Sequence, residues 1–475
     1  MHGRNISKAG EQDKAETLLL MTFRLGRDDA RFSEAIPFSE ALMSTRREFI
    51  GTASAVLAGT ALGAVRTHAQ RPTPAQTSGD LPPAIKALKS MTDQAKPITI
   101  DERRVRLDKA RALMKSNGMN AMMLTGGTSM EYFTGIRWGL SERLLAAIIP
   151  VSGSVFLVTP KFEQERAMEQ ARNGPLGKDT EVYAWEEDER PHALIAKGLK
   201  ARTLATGTLA VEETVRFVFT DGASAALPAM QVKSATVITA GCRAQKSAHE
   251  IALMRLASQV TLKAYEAAWK SLKDGMTQND FATLVAAAHQ QLGFEGSAGV
   301  QVGKYSALPH GSATPQTVRE GSILLIDGGC KAQGYCSDIS RTFVLGKATQ
   351  RMKDVFEIEH RAQTIAVKTA RPGMACEAVD VAARKVIADA GFGPDYKYFG
   401  HRLGHGMGMD GHEWPYLVRG NKLPLAPGMV FSDEPGIYIL GEFGIRLEDD
   451  MLITESGAEL FTPQSPSLEQ PFAVV

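Results

Sequence analysis

Apolar residues recur at helical spacing in several stretches of this 475-residue chain and at strand-like spacing in others. DERRVRLDKARALMKSN, from about Asp101 to Asn117, reads as an amphipathic helix stopped by Gly118. The apolar runs AMMLT, LLAAIIP and SVFLVTP then alternate with polar helical stretches such as KFEQERAMEQARN, which predicts a small α/β domain over 98–238. A second domain, 239–475, opens at Ser247-Ala-His-Glu250, where Ser and Glu can each bond the other's backbone and start a helix. Ile251, Met254, Ala257, Val260, Ala264 and Ala268 follow on one face. A further helix begins behind Thr277, and two strand-like runs follow, ILLIDGG and GYCSDISRTFVLG.

That order repeats. RMKDVFEIEHRAQTIAVKTA and PGMACEAVDVAARKVIADAG read as two more helices, and MVFSDEPGIYIL and FGIRLEDDMLIT as two more strands. Gly275-Met276 answers Gly373-Met374, Gly321 before Asp327 answers Gly428 before Glu434, and Asp338 answers Glu448. An internal repeat of this kind predicts a pseudo-twofold domain with its carboxylates converging between the halves.

Composition narrows the class. The chain is 44% hydrophobic and 23% charged without low-complexity tracts, as a globular protein should be. Its formal net charge is +1, which argues against nucleic acid or an acidic membrane surface as the main partner. Residues 43–69 break the globular pattern: Arg46-Arg47, Phe49 and Ile50 precede an Ala/Gly/Thr-rich apolar run with small residues up to Ala69. This resembles a twin-arginine signal peptide, so export to a periplasmic or extracellular space is expected, with no membrane association after cleavage. Residues 1–42 read as a non-native extension, with translation starting at Met43, or as an unusual disordered one, and 70–97 as a linker.

The chemistry concentrates in the last third. Asp327, Asp338, His405, Glu434 and Glu448 are all hard or borderline donors. Four carboxylates and a histidine exceed what one cation needs, whereas two adjacent divalent cations use bridging carboxylates. Asp327 and Asp338 can face each other across a hairpin on one side of a sheet, where they would repel without a cation. In that register Cys336 points inward and Cys330 outward, which disfavours a disulfide; with Cys242 and Cys376 they form neither CxxC nor zinc-ribbon spacing. His405 lies in Gly404-His-Gly-Met-Gly, where glycines would let the backbone approach a metal or ligand. Gly406-x-Gly408-x-x-Gly411 formally matches a dinucleotide fingerprint, but no parallel βαβ unit surrounds it. Tyr132, Phe133, Arg137, Trp138 and Arg143 gather near a turn and read as core packing plus surface charge; reach into a neighbouring subunit's site is the alternative, with Trp138 lining the substrate pocket.

On these motifs, residues 244–465 resemble the catalytic domain of the pita-bread metallopeptidases, which include methionine aminopeptidase, aminopeptidase P and prolidase. The preceding domain resembles the creatinase/prolidase N-terminal domain, and the likeness covers roughly residues 98–465. The resemblance implies that Asp327 binds one metal, His405 and Glu434 the other, and that Asp338 and Glu448 bridge them. It implies substrate contacts from His310 and His412, a supporting Arg446 and a pocket lined by His401. The implied reaction is hydrolysis of Xaa-Pro bonds at the N-terminus of short peptides by a metal-bridging hydroxide, either as a dipeptidase or as an aminopeptidase, in a homodimer or larger oligomer. Manganese is the metal the carboxylate-rich set favours, with zinc or cobalt as substitutes. Methionine aminopeptidases generally lack the first domain, and creatinase lacks the ligands. A dimethylsulfoniopropionate lyase or small-amidine hydrolase on the same metals is the alternative enzyme class, and a metal-free binding protein a third.

Overall fold

The computed structural model describes residues 81–472, so the extension 1–42, the signal-like stretch 43–69 and residues 70–80 lie outside the described residues. Residues 81–97, expected as linker, form a packed segment. Ile85 in the short helix Pro83–Lys86 is fully buried, and Met91 N–H donates to Leu292 O of the second domain at 2.9 Å. An apolar residue every few positions was enough to dock a stretch whose composition reads as loop.

The helix Ile100–Ser116 begins at a reciprocal cap between Thr99 and Glu102 and ends before Gly118, whose φ of +64° suits glycine. It flanks a six-stranded sheet in the order Glu181–Trp185, Phe156–Pro160, Ala146–Pro150, Ala121–Thr125, Gly207–Val211, Met230–Ser234. Ala146–Pro150 runs antiparallel to both neighbours, and the other pairs are parallel. The three central strands are buried along their whole length, which explains their unbroken apolar runs. Helix Thr236–Arg243 crosses the 238/239 boundary drawn from sequence. Cys242 O accepts from Lys109 Nζ at 3.2 Å and from the Tyr132 hydroxyl at 3.1 Å, so this helix belongs with the first domain.

The second domain is two copies of one plan. Helices Ala248–Trp269 and Gln278–Gln291 precede strands Gly296–Val302, Ile323–Ala332 and Ile339–Val344; helices Gln350–Thr369 and Cys376–Ile387 precede Gly404–Gly406, Val430–Asp433 and Asp449–Ile453. The hydrogen bonds repeat as well. Gly275 and Met276 exchange bonds with Val318 at 2.9 and 2.8 Å, and Gly373 and Met374 do the same with Leu425 at 2.9 and 2.7 Å. Gly321 N–H donates to Leu345 O at 2.7 Å, and Gly428 N–H to Ile453 O at 2.9 Å. All four glycines have φ between +81° and +89°, a conformation that penalises a side chain.

The halves meet where Ile339–Val344 runs beside Arg446–Asp450. Glu448 N–H donates to Ser340 O at 3.2 Å, and the Thr342 hydroxyl to Arg446 O at 2.9 Å. Beneath this seam Arg341 and Asp449, both fully buried, pair at 2.6 Å. Expected long strands are interrupted there. GYCSDISRTF splits at Ser337-Asp338, MVFSDEPGIYIL at Glu434-Pro435 and FGIRLEDDMLIT at Leu447-Glu448. Proline cannot donate to a ladder, which explains the second break. Each break places an acidic side chain where the strand turns out of its sheet.

Candidate active site

The five donors converge on the seam. Asp327 lies in strand Ile323–Ala332 directly opposite Ser340. Asp338 lies in the break just before strand Ile339–Val344, and its carboxylate comes within 4.8 Å of those of Asp327 and Glu448. His405 occupies the middle of Gly404–Gly406, beside a register shift at His405/Gly406. Three groups of ligand atoms each fit within 4.8 Å: Asp327, Asp338 and Glu448; His405, Glu434 and Glu448; and Asp338, His405 and His412. Glu448, Asp338 and His405 therefore each belong to two groups, and of these only the two carboxylates have a second oxygen to share.

Electrostatics describes a site built for cations. Burial, then the neighbouring Asp327 and Glu434, pushes Asp338 well above the usual carboxylate range. Burial, then Asp338 and Glu434, does the same to Glu448. Glu434 is pushed up to about 7 by burial, against the opposing field of Arg446. Four carboxylates this close cannot all ionise alone, and divalent cations would cancel their repulsion. The histidine is prepared in the complementary way: burial, then His412, lowers His405 to about 3, keeping it neutral. His405 Nδ1 faces Gly406 O at 3.1 Å, which fixes the proton on Nδ1 and leaves the Nε2 lone pair towards Glu434 Oε1, 3.3 Å away. The donor set thus fits divalent cations.

Around the donors lies a shell that only partly shows in the sequence. The Ser340 hydroxyl lies 2.6 Å from Glu448 Oε2 and 3.0 Å from Asp327 Oδ1, and accepts from Arg446 Nε at 2.9 Å. Arg446 Nη2 sits 2.7 Å from Asp327 Oδ2, while Nη1 donates to the Tyr438 hydroxyl at 3.1 Å and to Pro309 O at 3.3 Å. The Ser432 hydroxyl donates to Glu434 Oε1 at 3.1 Å. Asp450, pushed up to about 8 by burial, accepts from Ser258 at 2.6 Å and from Asp338 N–H at 3.2 Å. Ser340 was findable by strand period, two residues after Asp338. Tyr438, Ser432 and Asp450 carry no sequence signal apart from their neighbours.

His412 stacks on His405, with ring centroids 3.7 Å apart and 19° between planes. His401 Nε2 lies 2.7 Å from the Tyr438 hydroxyl, its Nδ1 3.9 Å from Glu434 Oε2, and burial lowers it to about 4. His310 follows Pro309, which Arg446 holds, and lies near enough to His401 and His412 to disfavour protonation of both. Trp138 stands apart: its ring packs under Arg166, 4.3 Å from the guanidinium carbon, in the first domain. Among the described residues none of its recorded ring or ion contacts is to the donors. Tyr132 and Phe133 are buried core, and Arg143 pairs with Glu187 at 2.9 Å.

Two sequence expectations need correction. A Cβ on Gly404 would sit 2.0 Å from Ser432 O, and one on Gly406 2.8 Å from Glu413 O. These glycines make room for neighbouring strands, not for a ligand. Cys330 does not face outward into solvent, because helix Ala248–Trp269 covers that face; its sulfur contacts Ala257 O at 3.4 Å. All four cysteines are buried free thiols. The glycine pattern 406–411 sits among antiparallel strands.

Comparison with known proteins agrees with this geometry. Residues 252–455 match metallopeptidase family M24, and residues 106–245 match the creatinase/prolidase N-terminal domain. The chain is 33% identical to an Xaa-Pro dipeptidase of Lactobacillus delbrueckii subsp. lactis over 371 residues, covering 76% of this chain and 98% of that protein. Among solved structures it superposes on dipeptidase PepE of Mycobacterium ulcerans with a TM-score of 0.73 at 32% identity, covering 79% of this chain and 99% of that one. It also matches an X-Pro aminopeptidase of Thermotoga maritima, with a TM-score of 0.66 at 28% identity and coverage of 76% and 99%.

Proposed function

The chain belongs to metallopeptidase family M24, and from that premise we propose that it hydrolyses the bond between an N-terminal residue and a following proline in short peptides. The observation that carries this reading is the sharing of Glu448 and Asp338 between overlapping donor groups, the pattern two adjacent cations need. Asp327, Asp338 and Glu448 would hold one cation, and His405, Glu434 and Glu448 the other, with Asp338 as the second bridge. When bound, such cations polarise a peptide carbonyl and bring the pKa of a bound water towards neutrality. Manganese suits this oxygen-rich set, and zinc or cobalt could substitute. Relatives named as Xaa-Pro dipeptidases support the peptidase reading over a lyase or amidine hydrolase on the same residues.

The chain's own groups supply the rest. Glu434 would take a proton from the attacking water and pass it to the leaving nitrogen. That transfer matters for proline, whose nitrogen leaves from a tertiary amide. His412 and His310 would donate hydrogen bonds to the carbonyl oxygen as charge develops on it and hold the substrate in register. Arg446, fixed by Asp327, Ser340 and Tyr438, would keep the donors in place.

Purified protein supplied with manganese should cleave a matched Xaa-Pro dipeptide or Xaa-Pro-Yaa tripeptide between Xaa and Pro, and Asp338→Ala should not. Two bound metals with no cleavage of either peptide would sink the Xaa-Pro reading. Export follows from residues 43–69 alone: a reporter fused behind them should leave the cytoplasm by the twin-arginine route, and one retained inside would count against it.

A further inference from the structure

His412 is loosely anchored within its own domain. Its ring stacks on His405, and among the described residues neither of its ring nitrogens takes part in a hydrogen bond with the protein. Among the same residues neither Gly411 nor His412 makes a backbone hydrogen bond, and a Cβ on Gly411 would meet nothing within 4 Å. Fixing each such residue costs about 1–2 kcal/mol in conformational entropy. A donor aimed at a developing oxyanion must nonetheless be in place beforehand.

The anchors lie on either side. Asp410 N–H donates to Glu413 Oε1 at 3.0 Å, which closes the turn over Gly411 and His412. Both carboxylates are gripped from the first domain. Arg243 Nη2 reaches Asp410 Oδ2 at 2.6 Å and Glu413 Oε1 at 2.5 Å, and the Thr128 hydroxyl donates to Asp410 Oδ1 at 2.5 Å. Each oxygen of Asp410 thus has its own first-domain donor, and two donors set the plane of a carboxylate as well as its place. Thr128 is itself fixed. The next residue, Ser129, donates to Glu212 at 3.0 Å and accepts from Arg243 Nη1 at 3.3 Å. Gly126, two residues earlier, packs so closely that a Cβ there would sit 2.7 Å from Trp138 O.

We propose that Thr128 is a positioning residue for catalysis: through Asp410, the first domain sets where His412 meets the substrate carbonyl. The inference rests on the Xaa-Pro reading above, in which His412 donates to that carbonyl. Without the hydroxyl, Asp410 keeps only its Arg243 bond and can swing about it, carrying His412, two residues on. A misplacement of about 1 Å at a reacting group can cost 100-fold in rate. The cations are held by other side chains and should stay as they are.

Thr128→Val removes the hydroxyl at nearly constant shape and leaves the Arg243 ion pairs whole. With Ala-Pro and manganese, the full-length variant should lose on the order of 10-fold in kcat. Its KM and metal content should stay near those of wild type, and Thr128→Ser should restore most of the rate. The deciding comparison is a double-mutant cycle. In a His412→Ala background Thr128→Val should cost nothing further, because the group it places is gone. An equal loss in both backgrounds would overturn the assignment, as would full kcat in Thr128→Val or a loss that follows metal content. A crystal structure of Thr128→Val gives a readout independent of turnover. If wild type cut no Xaa-Pro peptide, the Xaa-Pro reading would fall. A His412 ring displaced from its 3.7 Å stack on His405 would still uphold the tie, and an unmoved ring would refute it.

Discussion

Arg446 Nη2 lies 2.7 Å from Asp327 Oδ2, an ion pair that joins the second half of the catalytic domain to the first. Arg446 also donates to Ser340 at 2.9 Å, so one side chain sets the position of a carboxylate and of the hydroxyl between two carboxylates. Arg446→Met should lower metal affinity or activity by about 10- to 100-fold, as loss of groups behind metal ligands does. Metal titration alongside kcat/KM checks this. Full activity at unchanged metal affinity would reduce Arg446 to packing.

Removing a shared donor should cost more. Glu448→Gln leaves both donor groups short of an oxygen, and activity should fall by more than about 100-fold, beyond the range for supporting residues. Metal analysis of the purified variant should show fewer than two equivalents. Two retained equivalents would contradict the bridging role.

His412 should behave differently. It stacks on His405 without being required by the two carboxylate groups. His412→Ala should lose about 10²–10³ in kcat, the cost of a donor to a developing oxyanion. Its metal content should stay near that of wild type. A loss confined to KM would reassign His412 to ground-state binding.

Acidity gives a signed prediction. Glu434 is raised to about 7, and Asp338 and Glu448 are raised well above the usual carboxylate range, so the folded protein without metal holds more protons than the unfolded chain. These groups contribute stability that is fully present below their unfolded pKa, 4.5 for the two glutamates and 3.8 for Asp338, and is lost as pH rises through the folded values. Melting temperature after chelation should therefore fall between about pH 5 and pH 7. Saturating manganese should remove that slope. A metal-free protein that gains stability over this window would contradict the assigned burial.

The loop bearing His412 is tied to the first domain. Arg243 pairs with Asp410 at 2.6 Å and with Glu413 at 2.5 Å, and Lys246 stands 3.6 Å from Glu413. Arg243→Met strips the main counter-charge from a buried Glu413 and should cost about 3 kcal/mol, the lower end for breaking a buried pair. Denaturant unfolding measures it. A loss under about 0.5 kcal/mol, typical of surface changes, would mean the pair is solvated.

The sequence made the repeat legible because glycine, helix caps and carboxylates mark positions that backbone geometry demands. Ser247 and Thr277 cap their helices as their spacing predicts, and Gly275 answers Gly373 down to the hydrogen bonds. The convergence of the five donors was legible for the same reason, since period two puts Asp338 on the face of Asp327. What did not show were the breaks at Ser337-Asp338 and Leu447-Glu448, which tertiary pairing imposes on good strand sequence. Residues 81–97 read as loop because their apolar anchors, Ile85 with Leu88 and Met91 packed beside it, are too irregularly spaced to set a period.

The site's place on the seam has a mechanical consequence. Asp327 and Asp338 come from one half of the catalytic domain, and His405, Glu434 and Glu448 from the other, so cations held among them would act as a clasp. By mass action, a ligand at 100 times its Kd adds about 2.7 kcal/mol to the folded state. Amide exchange along Ile339–Val344 and Asp449–Ile453 should slow together on loading, and protease resistance should rise with it. Cation supply would then govern how long the protein survives as well as how fast it works.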